Sequence, residues 1–328
     1  MAKIANERPD QSPIIRLGIS ACLLGRKVRF DGQHKRDGYL VETLGPFVKW
    51  VPVCPEVEVG MGTPRETIRL EGDVEDPRLV APKSGTDHTD DMKRWSAERL
   101  KGLDAEHLHG FILKRASPSC GAFRVKVYQQ PHGMATPKGQ GLFARALMEA
   151  WPLLPVEEEG RLNDPGLREN FFERVFAWHR WREFVENDNT PKGLVAFHTA
   201  HKMTVMSHSV EKYRGLGRLV ADLKSQPWAS LRNQYGTDLM IALKVLSTPR
   251  KHANVLYHLA GHLKNVISSA AKQGLVGEIE DYRQGLAPLI VPLTLLKHHL
   301  TINELPDWTQ QQVYLNPYPK ELMLRNHV

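Results

Sequence analysis

A change of hydrophobic period near residue 160 divides this chain into two halves that must fold by different rules. Before it, short apolar or β-branched runs at residues 14–19, 47–53, 110–113 and 124–128 alternate with breakers and helix-period segments. That alternation predicts an α/β domain with a largely parallel sheet. After it, strand candidates nearly vanish and helical periodicity covers residues 170–185, 192–207, 211–224, 228–246, 251–273 and 288–300. Breaks fall at Asn189-Thr-Pro191, Ser225-Gln-Pro227 and Thr248-Pro249, so the second half reads as an all-α domain. The junction itself, with Pro152, Pro155, Pro165 and the triplet Glu157-Glu-Glu159, is breaker chemistry. We place domains at 1–160 and 161–328, without internal repeats or low-complexity tracts.

The 328 residues suffice for two ordinary domains. No apolar run approaches the ~18 residues of a membrane span, and the first twelve residues lack an apolar signal core. A soluble, cytoplasmic protein with no membrane partner is expected. Three cysteines cannot form a secreted disulfide framework and leave at least one thiol unpaired. Charge is divided unevenly. Residues 1–160 carry 23 Lys and Arg against 22 Asp and Glu, and residues 161–328 carry 21 against 15, so +6 of the net +7 belongs to the second half.

Each cysteine closely follows an expected strand: Cys22, Cys54 and Cys120. Strands of one polarity end along one edge of a parallel sheet, which would bring the three thiols together where open α/β proteins keep their ligand crevices. Taken singly, each reads equally as a small buried residue. Taken together, three thiolates suit a zinc site with an added ligand or a [4Fe–4S] cube with one iron not held by protein. The absence of a Cys-x2-Cys pair disfavours a zinc ribbon or a ferredoxin-type carrier.

Three motifs in order carry a resemblance over roughly the first 150 residues: Ser20-Ala-Cys-Leu-Leu-Gly25 with Arg29-Phe-Asp-Gly32, Cys54-Pro-Glu56 leading to Gly62-Thr-Pro-Arg65, and Ser117-Pro-Ser-Cys-Gly121. Together they resemble the thiouracil desulfidase (TudS) family. The second half, with His198-Thr-Ala-His-Lys202, Tyr213-Arg-Gly-Leu-Gly-Arg218 and residues 312–319, resembles the YbgA-type helical domain. The arrangement is similar to the RudS-type bacterial tRNA 4-thiouridine desulfidases. The resemblance implies a [4Fe–4S] cluster on Cys22, Cys54 and Cys120, a catalytic glutamate at Glu56 and a catalytic serine at Ser117, with Ser119 in the same motif as the competing position. It implies non-redox hydrolysis of a thiocarbonyl with release of sulfide. Arg29, Asp31, Arg65 and Ser119 are candidates for binding the base or a flanking phosphate, because guanidinium forks and polar edges read planar donors and acceptors. Glu58, Glu66 and the acidic run 71–76 read as solvated surface. The Gly139-Gln-Gly141 pair lacks the strand-turn-helix context of a dinucleotide fingerprint.

The basic second half points to a polyanion. Arg214, Arg218, Lys224, Lys244, Arg250 and Lys251 are candidate phosphate contacts, and Trp178, Trp181, Tyr213, Trp228 and Tyr235 are candidate stacking residues. The competing reading makes most of these helix surface and core. His198 with His201, and His258 with His262, have spacings that share a helix face, but no His-Glu-x-x-His pattern accompanies them. The expected activity is conversion of 4-thiouridine in tRNA, or in tRNA-derived material, to uridine. The alternatives are desulfuration of free thiolated pyrimidines such as thiouracil, a non-enzymatic iron–sulfur RNA-binding or redox-sensing protein, and a structural zinc protein. Oligomeric state stays open.

Overall fold

The computed structural model describes residues 15–129 and 133–328. The leading segment, including Ile14 of the first expected strand and the region judged for a signal core, lies outside the described residues. The chain divides into two compact units between Asn163 and Asp164.

Among the described residues of the first unit eight strands run in order: β1 (Ile15–Ser20), β2 (Val48–Val53), β3 (Arg69–Gly72), β4 (Pro77–Val80), β5 (Gly110–Leu113), β6 (Val125–Tyr128), β7 (Ala135–Gly139) and β8 (Val156–Glu158). Among them lie helices α1 (Pro55–Glu58), α2 (Thr89–Asp104) and α3 (Leu142–Ala150). One sheet has the order β2-β1-β5-β8, and every pairing in it is parallel. Its central strands are largely apolar because they are covered on both faces: all of β5 and all but Arg16 of β1 are buried. Gly18 in β1 has a packing reason, since a Cβ there would stand 2.2 Å from the Phe111 ring. Phe111 in turn meets Phe143 of α3 edge-on at 5.8 Å.

The remaining strands form a second sheet, β4-β3-β6-β7, in which only β3 and β6 are parallel. The run at residues 124–128 therefore belongs to this mixed sheet, built on Leu70, Leu79, Val125 and Val127. Its strands are short, and Pro77 and Pro137 break the periodic signal. Glu71 departs from the solvated reading of its acidic run: it lies buried in β3 with Arg69 Nε 2.7 Å from its Oε1.

The second unit is helical: α4 (Pro165–Asn187), α5 (Pro191–His208), α6 (Val210–Ala221), α7 (Trp228–Lys244), α8 (Pro249–Gly261), α9 (Ser269–Arg283), α10 (Ile290–Ile302) and the short α11 (Asp307–Gln310). Asp164, Thr190 and Thr248 each accept a backbone N–H through the side chain and are followed by proline at the first helical position. The breaker dipeptides are thus helix starts. The long helix expected at 251–273 is two, because Ser268 accepts the Ala271 N–H and caps α9. Leu256, Leu259, Ile279, Leu293, Leu296 and Tyr314 form the centre of this unit. Among the described residues no helix is long and apolar enough to cross a membrane.

Candidate active site

Register fixes the site. Ser20 pairs with Val53, Ile19 with Ile112, and Leu113 with Glu158, so the carboxyl ends of all four parallel strands lie along one edge. Cys22 sits in the 3-10 turn Ala21–Leu24 directly after β1, and its carbonyl accepts from Gly25 and Lys35. Cys54 follows β2, and its N–H is held by Glu58 Oε1 at 2.9 Å. Glu58 also pairs with Arg99 at 3.0 Å, so it combines the expected exposure with an anchoring task. The loop after β5 carries Ser117, Ser119 and Cys120. It is packed so closely that a Cβ on Gly141 would lie 2.6 Å from the Ser119 carbonyl, which gives Gly141 a structural purpose.

A cavity of about 440 Å³ opens at this edge, and Cys22, Cys54, Cys120, Arg29, Glu56, Arg65 and Ser117 all line it. The three cysteines are free thiols. Burial, followed by the charge of Cys54, pushes the Cys22 thiol up to about 11 against the opposing pull of Lys114 and Arg29. Burial likewise raises Cys54, and burial with the Glu56 carboxylate raises Cys120. Such thiols ionise when a positive centre offsets their desolvation. Among the described residues no three His, Cys, Asp or Glu side chains close on a single metal ion.

Glu56 is held on both oxygens. Its Oε2 pairs with Arg65 Nη2, and its Oε1 accepts the Ser119 hydroxyl at 2.6 Å and the Ser117 hydroxyl at 3.4 Å. Arg65 is further fixed to the carbonyls of Val28 at 3.0 Å and Gly62 at 2.8 Å. Ser117 Oγ accepts the Cys120 N–H at 3.0 Å. Ser119 is fully buried and does not border the cavity. Asp31 also lies off the cavity, accepting the Gln33 N–H at 3.0 Å and standing 3.4 Å from Arg29 Nε. The structure thus brings together the three thiols, Glu56, Ser117, Arg29 and Arg65, and sets Ser119 and Asp31 behind them.

Sequence reading missed Lys114, whose ammonium pairs with Glu159 beside the cavity, and Lys35, Phe30 and Thr67 in its wall. Only the position of Lys114 one residue beyond β5 marked it in the sequence. Sequence reading also missed a charged centre in the helical unit. Glu173 Oε2 lies 2.7 Å from His208 Nε2, and Arg325 reaches Glu169 at 3.2 Å and Glu173 at 3.5 Å. Burial opposes the Glu173 charge, but His208 and Arg325 outweigh it and hold the carboxyl down to about 2. The same pair raises His208 against its own burial. Two carboxylates four apart inside the apolar run of α4 were the available signal.

Several second-half candidates have internal duties. Tyr235 is fully buried and stacks with Trp181 at 5.5 Å, so neither presents a face to a base. Lys251 donates to the carbonyls of His208 at 2.8 Å and Leu246 at 3.1 Å. His198 contacts the Tyr235 hydroxyl at 3.1 Å, His201 the Phe197 carbonyl at 2.8 Å, and His262 packs on Trp308. Arg214, Arg218, Lys224 and Arg250 are exposed.

A family model described as 2-thiouracil desulfurase matches residues 17–159, and one described as a protein of unknown function (DUF1722) matches residues 202–319. An uncharacterized protein YbgA of Escherichia coli (strain K12) is 34% identical over 157 residues, which is 47% of this chain and 90% of that protein. An uncharacterized protein YbbK of Bacillus subtilis (strain 168) is 30% identical over 151 residues, or 44% of this chain and 97% of that protein. Among solved structures, a [4Fe–4S]-dependent thiouracil desulfidase, TudS, is 31% identical with a TM-score of 0.36, covering 45% of this chain and 93% of that one.

Proposed function

The chain belongs to the 2-thiouracil desulfurase family through its first half and to the YbgA-like DUF1722 family through its second, and from that membership we propose that it is a [4Fe–4S]-dependent, non-redox desulfidase converting 4-thiouridine, in tRNA or tRNA-derived material, to uridine. The observation that carries this reading is the meeting of Cys22, Cys54 and Cys120 with Glu56 and Ser117 around one cavity. We assign the desulfuration to residues 1–160 and binding of the polyanion to residues 161–328. Three thiols spread around a cavity, with no fourth cysteine in the chain, suit a cluster that leaves one iron unheld by protein. Bound there by the three cysteines, the cluster supplies a Lewis-acidic iron with affinity for a soft thiocarbonyl sulfur.

Replacing C=S by C=O consumes one water and yields sulfide, with no electrons exchanged. Glu56 takes a proton from that water as general base. Arg65 and Ser119 hold its two carboxylate oxygens and so set its direction. Ser117 accepts from the Cys120 N–H, which leaves its own proton to be donated to Glu56 or to charge developing on the substrate. Arg29 offers a planar donor edge to the base. Asp31 serves the substrate indirectly, by shaping the turn that holds Arg29. Exposed Arg214, Arg218, Lys224 and Arg250 are the cations we assign to RNA phosphates.

Anaerobic purification with iron and acid-labile sulfide analysis, followed by incubation with 4-thiouridine-containing tRNA, tests the proposal. The expected result is uridine in the tRNA and one sulfide released per thiouridine lost. Turnover of free thiouracil without turnover of tRNA would move the substrate to the small molecule. Cluster-dependent affinity for tRNA without sulfide release would leave an iron–sulfur RNA-binding protein, and zinc without iron would remove the cluster.

A further inference from the structure

Phe30 is the only aromatic residue among the described residues lining the cavity, and 38% of it is exposed. An aromatic ring left uncovered beside a polar site gives up hydrophobic burial that it would have as core. Its exposure is built in by the backbone. Arg29 and Gln33 close a tight turn, with the Gly32 N–H donating to the Arg29 carbonyl at 2.9 Å and the Arg29 N–H to Gln33 at 3.2 Å. Asp31 caps the same turn through the Gln33 N–H. The Phe30 carbonyl accepts the Arg65 N–H at 2.9 Å, which ties the turn to the residue that pairs with Glu56. The Arg29 guanidinium carbon lies 5.3 Å from the Phe30 ring centroid, a cation–π contact that ties the ring to the turn.

We propose that Phe30 is the stacking platform of the site, holding a flat heterocyclic ring by its π-face. This rests on the desulfidase reading for the identity of the ring, a thiolated pyrimidine, and adds a residue that selects planar substrates. Every nucleobase has a π-face, so stacking positions the ring without reading its substituents. That leaves discrimination of the thiocarbonyl to the cysteine side of the cavity. Phe30 is a binding residue in this scheme and touches no reacting atom.

Equilibrium binding of 4-thiouridine and of uridine to the cluster-loaded full-length chain, measured by calorimetry, tests it. Phe30→Ala and Phe30→Leu are expected to weaken both ligands by about tenfold or more. Phe30→Trp and Phe30→Tyr should bind like the parent. Iron and sulfide content should be the same in all four. Leucine as good as phenylalanine would show that only apolar bulk matters and would overturn the proposal, as would unchanged affinity in Phe30→Ala or no binding by the parent chain. Sulfide release is followed separately. Binding that depends on Phe30 without any sulfide release would leave the stacking role standing and bring down the desulfidase reading instead.

Discussion

At Glu56 two neighbours divide one carboxylate between them: Arg65 on Oε2, and Ser119 with Ser117 on Oε1. That division gives the two serines different tasks. Ser117 borders the cavity and Ser119 does not, so loss of Ser117 removes a group facing the substrate, while loss of Ser119 frees the carboxylate to turn. Glu56→Gln keeps the shape and loses the proton acceptor; turnover is expected to fall by about 10²–10⁴ with iron and labile sulfide unchanged. Full activity with an intact cluster would remove the assignment. Ser119→Ala should lower kcat with little change in KM, since it touches no substrate, and Ser119→Thr should restore part of the loss. A raised KM with unchanged kcat would return Ser119 to substrate binding.

Helix starts and strand ends carry the element-scale physics. Thr190 accepts the Gly193 N–H at 3.0 Å and precedes Pro191; Thr190→Ala is expected to cost about 1 kcal/mol, read as a fall in the melting temperature of the helical unit. Glu173 and His208 make the larger contribution. The Glu173 carboxyl is held near 2, so its stabilisation is complete above the ordinary value of 4.5 and drains away as pH falls toward 2. His208 is raised above 6.5, so its share is complete below that value and is lost as pH rises through the folded one. The share of this unit's stability that the pair supplies should therefore be greatest between pH 4.5 and 6.5, on a background that declines below pH 6.5 because burial holds His201 and His252 neutral. Glu173→Gln should lower the unit's stability by about 3–5 kcal/mol, because buried cations lose their partner; pH-dependent thermal melts check both. Periodicity revealed the helices and the parallel strands, since each buries a continuous face. It could not reveal the mixed sheet, whose four- and five-residue strands carry prolines. Nor could it foresee that Glu71, Glu169 and Glu173 are buried, because a carboxylate inside looks like one outside until its partner, up to 156 positions away at Arg325, is known. The thiols, Glu56 and Ser117 were legible because strand-end position and motif agreed. Phe30 and Lys114 were not, because their role depends on which loops share an edge.

For the whole molecule, the first unit is nearly neutral in charge and the second carries the basic excess. If phosphates are its partners, association with tRNA should weaken steeply with salt, and Arg214→Gln with Arg218→Gln should reduce the slope of log K against log salt by about two. An unchanged slope would place the contact elsewhere. Strand β8 makes the site depend on residues far along the chain. It pairs with β5 at the edge of the parallel sheet, and the Glu158 carboxylate accepts the N–H groups of Ala122 at 2.9 Å and Phe123 at 3.1 Å, two and three residues after Cys120. The third thiol is thus moored by a residue made 38 positions later. In a nascent chain still short of Glu158, Cys22 and Cys54 already have their local anchors, and the loop of Cys120 waits for its mooring, so the third sulfur is the last that synthesis allows to be fixed.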